Sequence, residues 1–414
     1  MRRCLSVLLC LVFLLSGCAR LTEDPLLRVS TVDAPLPQTG RMAQTEPPAL
    51  PDIPADAADA PVNDPWFGVD ISFLAMGDNL IHPNIYMDAR KRGNAEKEYD
   101  FLPVYADISS HIAGADFAFI NQETVMAGES YGYSGYPTFN SPRQLGLDMV
   151  ALGFDIINIA NNHMLDMGAA GLADTVDFWK SQPVTLLGAA YAPAEPVILE
   201  QDGVKIALLS YTYSTNGFSQ GKDALIQIPY IEEERILSDI QYAKNHRADV
   251  IIASVHWGTE NTHVPTDSQT SLAQLMADAG VDVILGHHSH CLQPITWLSG
   301  AEGHKTLCIY SLGNSISGMA APLNQVGGML TFSIVSDGAG GLQIASPLLI
   351  PTVFYYGPNW FNTHLYLLED YTEDIAASHG VSINGYTLSA EKARQIVTDV
   401  IDAQFLPDWL CTNE

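Results

Sequence analysis

Asp155-Ile-Ile-Asn-Ile-Ala-Asn-Asn-His-Met-Leu-Asp-Met-Gly168 passes from an apolar run to a polar turn within a few residues. Ile156, Ile157 and Ile159 form a β-branched apolar run, the composition of a buried strand. The run empties at once into polar Asn161, Asn162, His163 and Asp166, and Gly168 with the Ala-rich segment behind it opens a helix. In an open α/β sheet, ligands collect just outside the carboxyl ends of the strands. Amide oxygens and an imidazole at that point can hold or orient a metal and its substrate.

Working outward, the same grammar recurs. Val69–Met76 reads as a strand running into Gly77-Asp78-Asn79-Leu80-Ile81-His82, and Asp116–Ile120 as one running into Asn121-Gln122-Glu123. Asp249–Val255 leads to His256-Trp-Gly-Thr-Glu260, and Val281–Leu285 to Gly286-His-His-Ser-His290. Between them lie expected helices over Leu102–Ala113, Pro142–Leu152, Ala169–Lys180, Glu232–Asn245 and Ser268–Ala279. Val184–Leu187 and a β pair across Asp202-Gly203 (Val197–Leu199 with Lys205–Ser210) complete this part. Strands alternating with helices argue a mixed α/β sheet. After about 291 the pattern turns to strands (Gln293–Leu298, Lys305–Tyr310, Gly328–Val335, Gly341–Leu349), which predicts a second sheet packed on the first. The tail, from about 364, has a helical pattern, clearest over Ala390–Ala403.

Composition bounds the rest. The 414 residues carry 19 basic and 47 acidic side chains, a net charge of −28 spread along the chain. Such a field repels nucleic acid and anionic headgroups, so no nucleic-acid partner is expected, while it suits cations. Arg2 and Arg3 precede the apolar run Leu5–Leu15, and Leu15-Ser-Gly-Cys18 looks like a bacterial lipobox. Residues 1–17 are therefore expected to be a signal peptide. Lipid on Cys18 would tether the chain to the extracytoplasmic face of the bacterial cell membrane, each buried methylene adding roughly 0.8 kcal/mol. Residues 18–66 read as a disordered tether, since 19–66 hold nine of the 24 prolines and almost no aromatics. Cys291, Cys308 and Cys411 then remain, and no disulfide framework is indicated.

Gly-Asp after a strand is usually only a turn, and a lone His at a strand end is usually packing. Three His within residues 287–290 resist that explanation, and five of the twelve histidines fall in 256–290. Imidazole suits Zn, Mn and Fe alike. Asp78, Glu123, Asn162, His256, His288 and His290 together offer enough ligands for two divalent cations. Two such metals, about 3.5–4 Å apart, can hold a hydroxide and clamp both oxygens of an in-line displacement. His163 would then be the non-ligand imidazole facing the substrate, with Asp166 orienting it.

In this order the motifs Gly77-Asp78, Asn121-Gln-Glu123, Asn161-Asn-His163 with Asp166, His256-Trp-Gly258 with Glu260, Gly286-His-His-Ser-His290 with Gln293, and Tyr310-Ser-Leu-Gly-Asn314 resemble the CapA family of capsule-synthesis proteins. That family is linked to poly-γ-glutamate and related to calcineurin-like metallophosphatases, and the match runs from about 70 to 335. The resemblance implies a sandwich of two β-sheets flanked by helices, with a domain over 67–350 and a helical extension over 351–414. It makes Asp78 and His290 ligands of a first metal and Asn162, His256 and His288 ligands of a second, bridged by Glu123. His163 and Asp166 become the catalytic residues, and Asn121, Asn161, Glu260 and Asn314 the substrate-binding ones. Two positions depart from the metallophosphatase pattern. Leu80 stands where a His is usual, with His82 a candidate to substitute, and Glu123 stands where Asp is usual. The Tyr131-Gly-Tyr-Ser-Gly-Tyr136 loop reads equally as the lining of a substrate groove or as a surface loop.

The expectation is a lipid-anchored, metal-dependent hydrolase of a capsular or cell-envelope polymer, using a metal-bound hydroxide on a phosphoester or amide bond. Its partners would be an anionic or peptidic polymer and capsule-synthesis membrane proteins. The competing expectation is a non-catalytic, membrane-tethered subunit that holds or exports the polymer.

Overall fold

The computed structural model describes residues 64–411 apart from 193, 222 and 223. The signal segment 1–17, the lipidation site Cys18 and all but the last residues of the tether 18–66 lie outside the described residues. Where the description begins, the Asp64 carboxylate accepts a hydrogen bond from Ser336, and Trp66 packs against the core.

Strands β1 (Asp70–Leu80), β2 (Phe117–Gln122), β3 (Ile156–Asn158), β4 (Thr185–Leu187) and β5 (Ala190–Tyr191) come first. There follow β6 (Val197–Gln201), β7 (Val204–Thr212), β8 (Ile226–Gln227), β9 (Val250–His256) and β10 (Val283–His287). The last are β11 (Leu292–Ser299), β12 (Lys305–Leu312), β13 (Asn314–Ser317), β14 (Val326–Ser336), β15 (Leu342–Tyr355) and β16 (His364–Leu367). They form two large sheets among the described residues, ordered β16-β15-β14-β1-β2-β3-β4 and β11-β12-β10-β9-β7-β6. β13 adds in parallel to the end of β1, and β5 pairs only with β8.

Side-chain alternation makes this a sandwich. Successive strand residues point to opposite faces. In the second sheet Ile206, Leu208, Ile252, Val283, Leu285, Leu307 and Ile309 join one core with Phe73, Phe119 and Ile157 of the first sheet. Their neighbours Ala207, Leu209, Ile251, Ala253, Ile284 and Cys308 form a separate core. This second core takes in Ile236, Ile240 and Ala243 of the helix Glu233–Asn245, and Ala273 and Met276 of the helix Asp267–Asp278. The central strands are covered on both faces, which explains why they read as continuous apolar runs. The two-sheet sandwich flanked by helices is the fold class the sequence led us to expect.

The partition of strands differs from that expectation. The segments after 291 do not make a sheet of their own: β11 and β12 complete the sheet of β7, β9 and β10, while β14 to β16 extend that of β1 to β4. Hydrophobic alternation reports that a strand is buried, not which neighbour it pairs with. β15 also runs through residue 350, and β16 pairs with it at Thr352–Tyr355, so the segment after 350 begins as sheet before its helix Ala390–Val400. Leu388, Val397, Ile401 and Phe405 then join the same core as β14 and β15.

Parallel pairing places the chemistry. β1, β2 and β3 run in register with Asp78 beside Asn121 and Asn121 beside Asn158. β7, β9 and β10 do the same with Thr212, His256 and His287. The carboxyl ends of both sets therefore meet at one rim.

Candidate metal centre

Gly77 sets the first side chain. A Cβ there would stand 2.0 Å from the Gly313 carbonyl oxygen, so only glycine lets β1 pass the turn between β12 and β13. The Asp78 N–H donates to that same carbonyl at 2.9 Å, and Asp78 sits fully buried at the point where the β1 register shifts. Asn121 Nδ2 donates to Asp78 Oδ1 at 2.8 Å while its own carbonyl accepts from Asn158 at 2.9 Å. From the opposite sheet the His288 backbone N–H donates to Asp78 Oδ2 at 3.1 Å, and His290 Nδ1 lies 3.2 Å from it.

Glu123 follows β2 and reaches both halves of the site. Its Oε2 is 3.7 Å from His290 Nδ1 and its Oε1 is 3.5 Å from His256 Nε2. Potential ligand atoms of Asp78, Glu123 and His290 lie within 4.8 Å of one another, and so do those of Glu123, His256 and His288. Asn162 Oδ1 is 2.9 Å from His256 Nε2. Six side chains from five separate segments converge here, with Glu123 common to both groups.

Burial gives these groups unusual affinities for protons. Burial raises the Glu123 carboxyl well above the usual carboxylate range, and neighbouring Asp78, Glu260 and Asp166 add to the rise against the pull of His290. Burial acts against the charge of His290, yet Glu123 and Asp78 facing it carry the ring up to about 10. Burial likewise opposes ionised Asp78, but hydrogen bonding and attraction to His290 hold its carboxyl below its ordinary value. Burial pushes His256 well down, His287 to about 4 and His288 to about 3.

The donors fit divalent cations. Both Glu123 carboxylate oxygens, His288 Nδ1 and both His287 ring nitrogens are buried without a hydrogen-bond partner. Leaving such groups unpaired costs several kcal/mol for a charge, and a bound cation would offset that cost. Mixed carboxylate, amide and imidazole donors suit Mn, Fe or Zn. Strain at the same place points the same way: His288 and His290 hold φ of +93° and +56°, a conformation non-glycine residues keep only where the surroundings impose it.

His163 stands beside this centre. Its Nδ1 is 2.7 Å from Asp166 Oδ2, which also accepts the Phe139 N–H at 2.6 Å. The Phe139 ring meets the His163 ring edge-on at 4.8 Å. Phe139 follows the Tyr-rich loop by three residues; in the loop Tyr131 donates to Asp174 and Tyr136 is exposed.

Some expected residues take other places. His82 belongs to neither ligand group; it precedes the helix Pro83–Arg92, and its Nδ1 lies 3.0 Å from the Gly318 N–H and 3.1 Å from the Leu80 carbonyl oxygen. Asn121, Asn161 and Asn314 are buried, with their amides bonded to groups of the protein. Asn161 accepts the His163 N–H at 2.9 Å and donates to the Gln122 carbonyl, and Asn314 Oδ1 lies 3.0 Å from His290 Nδ1. Their amides bond to Asp78, His163 and His290 or lie against them. Of the four residues expected to bind substrate, only Glu260 is exposed. Sequence reasoning passed over Asn158, His287 and Tyr213. The Tyr213 ring, 44% exposed, lies 4.6 Å from the His288 ring; a single Tyr after a strand gives no signal of this kind.

The sequence model for the bacterial capsule synthesis protein family PGA_cap matches residues 72–319, which contain every residue of the centre. The chain belongs to this family. Relatives within reach of alignment include the PGA biosynthesis protein CapA of Bacillus subtilis (strain 168), 34% identical over 198 residues, covering 47% of this chain and 50% of that one. The capsule biosynthesis protein CapA of Bacillus anthracis is 33% identical over 173 residues, 40% of each chain. The chain thus spans half or less of the length of these relatives. Among solved structures it is similar to the calcineurin-like phosphoesterase YfkN from Bacillus subtilis, with 16% identity, a TM-score of 0.43, and coverage of 80% of this chain and 96% of that one. Another is the Haemophilus influenzae NAD nucleotidase NadN, with 16% identity, a TM-score of 0.46, and coverage of 82% and 64%. In this PGA_cap chain the family match runs from within β1 to β13, taking in the whole second sheet and β1 to β4 of the first, while β14 to β16 lie beyond it.

Proposed function

We propose that this protein is a divalent-metal-dependent hydrolase of a capsular or cell-envelope polymer. The observation that carries the reading is Glu123, buried, without a hydrogen-bond partner and common to two groups of ligating side chains. Asp78, Glu123 and His290 would hold one cation, and Glu123, His256, His288 and Asn162 the other. Bound there, divalent cations supply Lewis acidity that polarises a phosphoester or amide oxygen and lowers the pKa of water.

The chain's own groups do the remainder. Asp166 engages Nδ1 of His163 and leaves Nε2 for proton transfer to the leaving group. Phe139 restricts that ring from the side, and Asn161 fixes its backbone. The names of the Bacillus relatives support poly-γ-glutamate as the polymer. A net charge of −28 opposes a polyanion on its own, and cations at the rim would offset the repulsion. Lipid on Cys18 would keep the enzyme at the extracytoplasmic membrane face, beside the membrane proteins that make the capsule.

The test uses the purified protein with Mn or Zn against poly-γ-glutamate and a generic phosphodiester. Cleavage of one substrate, abolished by a chelator and lowered about 10²–10⁴-fold in His163→Ala, is the expected result. Purified protein that carries no transition metal and cleaves neither substrate would instead favour a non-catalytic subunit that holds or exports the polymer.

A further inference from the structure

Glu260 sits in the turn after β9, an exposed carboxylate at the edge of the centre. One of its oxygens lies within 4.8 Å of ligand atoms of both His288 and His290. Those two histidines belong to different groups, His288 with His256 and His290 with Asp78. Among the described residues the Glu260 carboxylate makes no ion pair, and the buried Nδ1 of His288 has no hydrogen-bond partner.

The turn is held firmly in this position. Gly258 has φ +91°, and a Cβ there would stand 2.4 Å from the Gln269 side chain. The Asn261 N–H donates to the Ser289 carbonyl at 2.8 Å, and its side chain accepts from Asn324 at 2.8 Å. Gln293 donates to the Thr262 carbonyl at 3.0 Å, and Gln269 to Gln293 at 2.8 Å. These bonds tie the turn to the segment carrying His288 and His290 and hold the Glu260 backbone beside the two rings. The Asp78 group also lacks a donor: Leu80 is apolar and buried, and His82 is engaged with the backbone around Gly318.

We infer that Glu260 is itself a cation ligand, closing the centre from its solvent side opposite buried Glu123. This rests on the reading of the rim as a metal centre. The residues that would hold the cations would then include two carboxylates, one buried and one exposed, the exposed one open to displacement by an incoming anionic group.

The experiment titrates metal-free protein with Mn²⁺ by calorimetry and records the visible spectrum of the Co²⁺ form. Glu260→Gln keeps the shape of an exposed side chain, and Glu302→Gln, on a turn remote in sequence, controls for the loss of one surface charge. Glu260→Gln is expected to weaken Mn²⁺ binding at one or both sites by at least about tenfold and to change the Co²⁺ absorption, with Glu302→Gln matching the parent. Unchanged affinity in Glu260→Gln overturns the inference, and so does weaker binding with an unaltered Co²⁺ spectrum, which would mean a purely electrostatic role. A parent protein that binds neither metal overturns the metal-centre reading itself.

Discussion

Glu123 concentrates the trade between stability and function at the scale of one residue. Its carboxylate is fully buried, has no hydrogen-bond partner and is driven toward its neutral form by burial. Such a group costs stability unless a cation is present. Glu123→Gln removes the charge but keeps the shape. The metal-free variant is expected to melt at or above the parent's temperature, while its affinity for Mn²⁺ falls more than about tenfold. Thermal melts with and without Mn²⁺ check both halves, and a variant that is less stable without metal yet binds it normally refutes the assignment. The sequence pointed to Glu123 because an acidic residue ended an apolar run. It offered no way to tell Asn121, two residues earlier, from a substrate contact, since only the fold reveals that its amide is taken up by Asp78 and Asn158.

At the scale of elements, glycines decide how closely strand ends approach. A Cβ on Gly286 would stand 1.9 Å from the Tyr310 carbonyl oxygen, so β10 and β12 could not keep their spacing. Gly286→Ala is expected to destabilise the protein by about 1–3 kcal/mol or more and to displace the adjacent His287–His290 turn. Denaturant titration with a metal-binding assay would read both effects, and a variant with parental stability and binding would show that the strand end tolerates the intrusion. Strands were legible where β-branched runs were buried on both faces. The helix Pro83–Arg92 was not read, although Pro at its start and Arg90, Lys91 and Arg92 in its last turn suit a helix. Its polar composition masks the periodicity. β13 was missed for a related reason: Asn314–Ser317 is too short and polar to announce itself, and it exists because Gly77 and Gly313 bring it against β1.

For the whole molecule, the buried histidines make acid a threat. Burial holds His82, His287 and His379 at about 4 and His288 at about 3 against an ordinary 6.5, and pushes His256 well down. The unfolded chain therefore binds more protons than the folded one as pH falls from about 6.5 to 4, and stability drops across that window. Asp282, raised to about 6 mainly by burial, and Glu123 act in the opposite sense, because their folded forms keep the proton. His290, which keeps its proton up to about 10, adds to the opposing side mostly above pH 6.5, and burial raises Asp155 and Asp239 as well; below 6.5 the five neutral rings still leave a net loss. Melting of chelator-treated protein is expected to fall steadily between pH 6.5 and 4.5; a flat profile would contradict the buried neutral rings.

Taken alone, the sequence determined that strands and helices alternate, that strand ends carry the acidic, amide and imidazole groups, and that Asp78, Glu123, Asn162, His256, His288 and His290 were the ones to watch. It could do so because burial and side-chain period are local properties, written in runs of a few residues. Tertiary structure alone decided which strands share a sheet, that His82 stays out of both ligand groups and that Glu260 reaches them. Pairing and convergence depend on contacts between residues as far apart as Asp78 and His288. No local pattern encodes such a contact, because it exists only once two sheets have closed over a common core.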